Sequence, residues 1–493
     1  MANLLIALPF AYKLNLRSDE GYSMETTSRD MRYAFEQAVE FELQAPFYFM
    51  IMSAWRDIDD SIFFARLYSI LAIIGVALLI PALMRRYVPG VNPLWAIGVF
   101  LFNPMTMYME VDIRTYAMVV LTVVSMLILF YDGFIRDDYK LWARLVYSAL
   151  AVVVLNSHYY SGFLLTSTWL VLLYERKWKA AMAYVLLMIP PALSLLAVLP
   201  YMSSQYAQKS LQADYGNGPL ATLMFMVKTV DLFMIHTHKF PDMFSLLRWA
   251  VRGVVALAVL LPLVPVWRRI PGLMRSEHRY IWIIMAGLFV SYTLIFMIWG
   301  EEFVKFKFMS PLYIPMILTI FSLVSLAGKW VYYPAYTAFF VACHVVALFG
   351  YYNPLIKSED YIGIAEYIAA NEAPGQPVLV FENVHEMLLK HHYQGQNDLV
   401  ALPYPINFQE PWGHERWILQ SKDQVHEVFE ALPGEPEYLW LVVHGQRIVK
   451  SVNLNHEYLE SYVAENYEVV STRAFEQQMT VQQLRRRRDL AQE

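Results

Sequence analysis

ARLYSILAIIGVALLIPALM, residues 65–84, runs for twenty positions with one charge, Arg66, near its start, and Arg85-Arg86 follow at once. Coiled as a helix it would be about 30 Å long, the thickness of a bilayer's hydrocarbon core. An apolar helix of that length ending in paired arginines reads as a membrane span. The rest of the chain can be read against it.

Comparable runs recur on both sides. Spans are predicted near Pro93–Met109, Tyr116–Tyr131, Leu141–Asn156, Tyr160–Tyr174, Ala180–Met202, Trp249–Trp267, Tyr280–Trp299, Phe308–Gly328 and Val331–Tyr352. With a short first segment, Leu4–Tyr12, the count comes to about eleven. That first segment is half the length a span requires and lacks the charged start and cleavage site of a signal peptide. Either the helix enters the membrane only partway or, as is expected here, it is completed by residues upstream of this start. The fold class expected is an α-helical polytopic membrane protein with a small C-terminal α/β domain.

Composition supports this. The 493 residues are 57% hydrophobic and 16% charged, with a mean hydropathy of +0.36, against about 25% charged in soluble proteins. Intrinsic disorder is excluded. The charge is unevenly spread: from Asn353 onward there are 21 acidic and 11 basic residues, net −10, leaving +5 on residues 1–352. The division expected is therefore a membrane domain, 1–352, and a soluble domain, 353–493. A net charge of −5, with no basic stripe interleaved with aromatics, argues against nucleic acid. The single cysteine, Cys343, forms no disulfide within the chain.

Every second junction between spans is basic: Arg85-Arg86, Arg136 with Lys140, Arg176 with Lys177 and Lys179, Arg268 with Arg269 and Arg275, and Lys329. The positive-inside rule puts these in the cytoplasm. The opposite junctions then face outward: residues 13–64, the turns near Arg114 and His158, the loop at 203–248, the turn 300–307, and the acidic tail. Within the long loop, apolar Leu220–Ile235 reads as an interfacial helix. In the tail, helical stretches at Ser358–Ala373, Asp423–Leu432 and His456–Asn466 alternate with strands at Val378–Phe381, Tyr438–Val443 and Tyr467–Thr472, an α/β pattern without a Gly-rich phosphate fingerprint. Arg485–Arg488 reads as a solvated end or a contact for anionic headgroups.

Charges near membrane depth are costly, so those that persist mark sites by default. Five polar groups fall on the outward side: Arg17-Ser18-Asp19-Glu20-Gly21-Tyr22-Ser23, Gln44-Ala45-Pro46-Phe47-Tyr48, Asp112-Ile113-Arg114-Thr115-Tyr116, His158-Tyr159-Tyr160, and Glu301-Glu302 with Lys305 and Lys307. Each has a bland reading: a helix cap at Ser18 or Asp19, an interfacial aromatic belt at 44–48, a compensated pair of Asp112 with Arg114, a structural histidine at 158. Their common sidedness is what one outward site requires.

In their order and spacing these groups resemble the polytopic GT-C glycosyltransferases, in particular the family of protein O-mannosyltransferases and bacterial aminoarabinose lipid A transferases. That family shows Asp-Glu in its first loop, a His-Pro-Pro-Leu-Tyr type element, Glu-Ala-Arg-x-Tyr, a His-Tyr-Tyr turn, and Arg-Tyr opening a late span. The resemblance covers nearly the whole chain. This sequence has Gln44-Ala45 where His-Pro is usual, Asp112 for Glu, and Lys307-Phe308 for Arg-Tyr. Lys is a point charge and cannot grip two oxygens in a fixed fork.

The resemblance implies an inner-membrane, multi-pass enzyme with an extracytoplasmic tail. It would move a sugar from a polyprenyl-phosphate donor to an acceptor hydroxyl on a glycan, lipid or protein, with inversion. Asp19 would be the general base, and Glu20 would orient the acceptor or share a metal. Arg114 would meet the donor phosphate, with Lys307 and His158 behind it. Tyr116, Tyr159 and Tyr160 would anchor sugar or phosphate oxygens. No cofactor is required, although Asp19, Glu20 and Asp112 have the oxygens to hold a hard divalent ion. Membrane lipids are the other partners. Two other readings stay open: a flippase or transporter of polyprenyl-linked lipid, and a glycan polymerase or ligase taking a diphosphate-linked donor.

Overall fold

The computed structural model describes residues 3–210, 217–240, 253, 267–274, 276–326, 333–410, 417–434, 436–449 and 452–487. The span expected at Trp249–Trp267 lies outside the described residues apart from Gly253 and Trp267, as do Arg275, Lys329 and Arg488. The chain forms two compact units: Met1–Tyr12 with Thr26–Asn353, and Lys13–Glu25 with Pro354–Glu493.

The first unit is helical. Six of its described helices are long and apolar enough to cross a membrane: Ile62–Tyr87, Tyr116–Ile135, Trp178–Ala197, Arg279–Trp299, Phe306–Ser325 and Tyr333–Tyr351. Shorter apolar helices lie at Leu4–Lys13, Pro93–Phe102 and Leu141–Leu155. The stretch 65–84 sits inside the 26-residue helix Ile62–Tyr87, whose start is capped by Ser61 Oγ accepting the Phe64 N–H at 3.2 Å. Arg85 and Arg86 close its last turn, where cations favour the helix dipole.

The expected span Pro93–Met109 is two helices, Pro93–Phe102 and Pro104–Glu110. Pro104 keeps Asn103 extended (ψ 132°), and the Asn103 side chain accepts the Met105 N–H to start the second helix. The helix Tyr116–Phe130 passes into a π-helical turn, Tyr131–Ile135. It is a central element, 78% of its membrane window being buried against 17% for Trp178–Ala197. The helices Gly162–Tyr174 and Arg279–Trp299 pack closely at Gly287, where a Cβ would stand 2.6 Å from Ser167 Oγ. At the basic junctions, Arg86 forks onto Asp132 (2.9 and 2.6 Å), and Arg279 onto Glu175 (2.6 and 2.9 Å). The apolar stretch of the long loop forms the helix Pro219–Met234.

The second unit is built on a five-stranded sheet. Its strands are β1 (Val378–Phe381), β2 (Leu399–Leu402), β3 (Tyr438–His444), β6 (Tyr467–Ala474) and β7 (Met479–Arg486), with a separate ribbon of β4 (Ile448–Val449) and β5 (Val452–Asn453). The order is β2-β1-β3-β7-β6, with β1 parallel to β2 and β3, and β7 antiparallel to β3 and β6. The run Val-Leu-Val-Phe of β1 is buried throughout, as suits a strand covered on both faces. β7 departs from the sequence reading: Arg485 and Arg486 belong to an inner strand, and Arg485 pairs with Glu468.

The segment Lys13–Glu25, read as the start of the first outward loop, packs in this second unit. Lys357 Nζ meets Glu20 Oε2 at 2.7 Å, both side chains being almost wholly buried. Asn15 accepts the Lys357 N–H at 2.9 Å and donates to the Glu359 carbonyl at 2.7 Å. Gly21 lets the helix Ser18–Thr26 come close: a Cβ there would lie 2.6 Å from Leu388 Cδ2 and 2.7 Å from Met387 Cε.

Candidate active site

In the first unit a site begins at the end of the helix Met31–Glu40. Phe41 and Glu42 both donate backbone N–H groups to the Gln37 carbonyl (3.0 and 2.9 Å), and Leu43 adopts a left-handed conformation, φ 54°. For a residue with a Cβ that conformation costs about 1–2 kcal/mol. It turns the chain so that the Gln44 N–H closes on the Ala38 carbonyl at 2.9 Å and Glu42 meets Arg114.

Arg114 Nη1 donates to both carboxylate oxygens of Glu42 at 3.0 Å, the two side chains being 2% and 5% exposed. Gln44 Nε2 donates to Glu42 Oε2 at 3.1 Å, and Phe49 lies under the guanidinium at 5.6 Å. The position where the family has His-Pro thus carries a glutamine that holds the carboxylate partner of Arg114. Asp112 is buried, and its carbonyl accepts Ser69 Oγ at 2.9 Å.

An aromatic wall continues from Arg114. Tyr116 meets His158 edge-on at 6.5 Å, His158 lies 5.7 Å from Tyr160, and Tyr160 stacks on Phe308 at 5.9 Å with the rings nearly parallel. The Tyr160 hydroxyl donates to the Phe303 carbonyl, and Tyr108 bridges Tyr116 to Phe306. Phe306 and Phe308 flank Lys307, whose Nζ lies 5.8 Å from the Phe308 ring. Backbone bonds tie the turns together: the Phe47 N–H reaches the Asn156 carbonyl at 2.8 Å, and Thr115 Oγ1 the Ser157 carbonyl at 3.4 Å. Burial pushes the Tyr159 hydroxyl up to about 12, with a hydrogen bond from Gln205 acting against it. This phenol stays neutral at physiological pH.

Four of the five polar groups expected to face outward therefore meet in the first unit: 44–48, 112–116, 158–160 and the 301–308 turn, where Glu301 also pairs with Lys228. The fifth belongs to the second unit and divides its two carboxylates. Glu20 is fully buried on Lys357 and also accepts the Arg17 N–H at 3.1 Å, whereas Asp19 is only half-buried and its carbonyl accepts Ser23 Oγ at 3.0 Å. Of the carboxylates expected to share an ion, Asp19 and Glu20 lie in the second unit and Asp112 in the first.

The sequence reading did not single out Glu42 or Lys357. Glu42 stands two residues from the Gln44-Ala45-Pro46 element, and that adjacency was the available signal. Arg66 is a further buried cation, 0% exposed at the start of its span, with Nη1 donating to the Ala11 carbonyl at 3.0 Å.

No known protein family matches the chain, and no curated protein matches it. Solved structures do. ArnT from Cupriavidus metallidurans bound to undecaprenyl phosphate superposes with a TM-score of 0.55 at 13% identity, covering 98% of this chain and 96% of that one. The same protein in its apo state gives a TM-score of 0.58 at 11% identity with the same coverage. The fold is that of ArnT over essentially its whole length, the polytopic GT-C fold of the aminoarabinose lipid A transferases that the motifs resemble.

Proposed function

We propose that this chain is a membrane glycosyltransferase that takes a sugar from a polyprenyl-phosphate donor and delivers it to an acceptor hydroxyl at the outer face of the membrane, inverting the anomeric carbon. The observation that carries the reading is one chain of contacts that starts at the buried, oriented guanidinium of Arg114 and runs through Tyr116, His158, Tyr160 and Phe308 to Lys307, in a fold shared end to end with a protein solved with undecaprenyl phosphate.

In this reading the acceptor oxygen attacks the anomeric carbon from the side opposite the phosphate. Its proton passes to the half-buried carboxylate of Asp19, and the bond from the anomeric carbon to the phosphate oxygen breaks, leaving polyprenyl phosphate. Negative charge grows on the departing phosphate. Arg114, fixed in orientation by Glu42, stabilises it without having to reorganise, and Lys307 adds a point charge. Tyr159 and Tyr160 present apolar rings to lipid and sugar. The buried Lys357 partner of Glu20 favours a positioning role for Glu20 rather than proton transfer. No step requires a cofactor, and transfer assayed with and without added Mg2+ tests whether a hard divalent ion takes part.

The test is transfer from a radiolabelled polyprenyl-phosphate sugar in membranes. Asp19→Asn is expected to abolish transfer at normal expression and thermal stability. Full activity in Asp19→Asn would remove the assigned base. A reporter fused after Glu493 is expected to read as extracytoplasmic, as the acidic tail and the basic alternate junctions suggest. A cytoplasmic signal would remove one span from the expected count.

A further inference from the structure

The sheet of the second unit has a feature of open α/β sheets. Connections leave β1 toward β2 on one side and return to β3 on the other, so the order β2-β1-β3 makes a topological switch point at the carboxyl ends of β1 and β3. Ligand sites in such sheets form at this position. Phe381 and Val443 are register partners at the ends of the two strands. The residues that follow them, Glu382 and His444, therefore emerge side by side, and His385 comes from the first turn of the helix Asn383–Leu389 that Glu382 caps.

These three side chains offer ligand atoms that all lie within 4.8 Å of one another, and the residues are 5%, 6% and 9% exposed. The separation of His385 Nε2 from Glu382 Oε1 is 3.8 Å, too long for a hydrogen bond and close to the gap that an ion would fill. An ion bonded at about 2.0–2.2 Å in a tetrahedral site holds its donors about 3.3–3.5 Å apart. The rings of His385 and His444 face each other at 5.2 Å and 30°.

The surroundings orient a ligand. The Tyr361 hydroxyl lies 2.7 Å from His385 Nδ1 and donates to Glu359 Oε2 at 3.1 Å. With its own hydrogen committed to the carboxylate, the hydroxyl accepts from Nδ1–H. That places the lone pair of His385 on Nε2, the nitrogen that faces Glu382. A carboxylate acting on a histidine from behind is the usual support of a metal-binding imidazole, here relayed by a phenol. His444 Nδ1 accepts the Gln446 N–H at 3.2 Å, which puts the ring's proton on Nε2, so His444 ligates through Nδ1 and gives up that bond when an ion enters.

We propose that Glu382, His385 and His444 bind a divalent transition-metal ion of the zinc class at the switch point of β1 and β3, with water completing the coordination. Two imidazoles and one carboxylate match zinc-type ions and not Mg2+ or Ca2+, which take oxygen donors throughout. The ion joins the ends of two strands and a helix start. Through His385, Tyr361, Glu359 and Asn15 it braces the segment that carries Asp19 and Glu20, all within one compact unit. The inference is independent of the transferase reading.

The experiment is direct metal binding by the tag-free, full-length protein in detergent, stripped with chelator and dialysed. Zn2+ is titrated with elemental analysis of bound metal, and Co2+ is added as a spectroscopic probe. One equivalent of Zn2+ and the visible d–d bands of low-coordinate Co2+ are expected. Tyr361→Phe, which keeps the ring, is expected to weaken binding about 10–100-fold at unchanged stoichiometry. His385→Gln and His444→Gln are expected to lose the equivalent and the Co2+ bands. If those variants fail to fold, the wild-type titration and Tyr361→Phe decide. Less than one equivalent in the wild type, equal affinity in Tyr361→Phe, or full binding in folded His385→Gln each overturns the site.

Discussion

The buried pair of Glu42 and Arg114 gives the sharpest quantitative test. Two 3.0 Å contacts join side chains that are 5% and 2% exposed, so removing either partner strands a charge away from water. Losing one member of such a pair costs about 3–5 kcal/mol. Glu42→Ala and Arg114→Met should each destabilise the protein by that amount. The double variant strands no charge, so its cost should be no larger than that of either single change. The expected coupling is therefore at least about 3 kcal/mol in magnitude, well outside the roughly 0.5 kcal/mol scatter of independent sites. Unfolding of the four proteins by SDS in mixed micelles, followed by tryptophan fluorescence, measures it. Glu42→Ala should also lose sugar transfer although Arg114 is intact, because the guanidinium is no longer held in place. Additive destabilisation within 0.5 kcal/mol, or normal transfer by Glu42→Ala, would refute the argument that Glu42 positions Arg114.

Three further outcomes follow from the geometry. Tyr160→Phe keeps the stack on Phe308 but leaves the Phe303 carbonyl without its donor, and should cost about 1–3 kcal/mol in the same unfolding assay. Tyr160→Ala should cost about 3–5 kcal/mol, and equal losses in the two would show that stacking does not matter. Glu20→Gln leaves Lys357 charged and buried; trypsin should then cut at Lys13 and Arg17 faster than in the wild type, and unchanged cleavage would mean the pair does not hold that segment. Gly21→Ala meets the flexible ends of Leu388 and Met387 at 2.6 and 2.7 Å and gains about 1 kcal/mol of helix propensity; stability close to the wild type is expected on unfolding, and a loss of about 3 kcal/mol would show that those ends cannot move aside.

Much of the fold was legible because its strongest signals are local. The run at 65–84 is long, apolar and ended by arginines, and nothing distant is needed to read it. β1, β3 and β6 were equally visible as apolar runs between helical stretches. β7 was not, because Met479, Val481 and Leu484 are spaced among glutamines and arginines, and its inner place depends on pairing with β3 and β6. In the site, Arg114, Tyr116, His158 and Tyr160 could be named from the order of their polar groups and the family which that order resembles, and four of those groups do converge. Glu42 could not, because its role depends on a left-handed turn at Leu43 and on a partner 72 residues away. Residues 13–25 were assigned by neighbourhood in sequence, whereas their packing is decided by Lys357 and Leu388. The cluster of Glu382, His385 and His444 combines an i, i+3 pair with a residue on another strand, a spacing that no metal motif announces.

The contact between Glu20 and Lys357 spans 337 residues, and this sets an order of assembly. At about 5–20 residues per second of synthesis, Lys357 emerges roughly 17–70 s after Glu20. Throughout that interval the helices of the first unit can be laid down while residues 13–25 have no docking surface. A nascent chain halted before Lys357 carries Asp19 on a segment that lacks its packing partner. The second unit thus acts as a timer: it withholds the folded setting of Asp19 until Lys357 has been made.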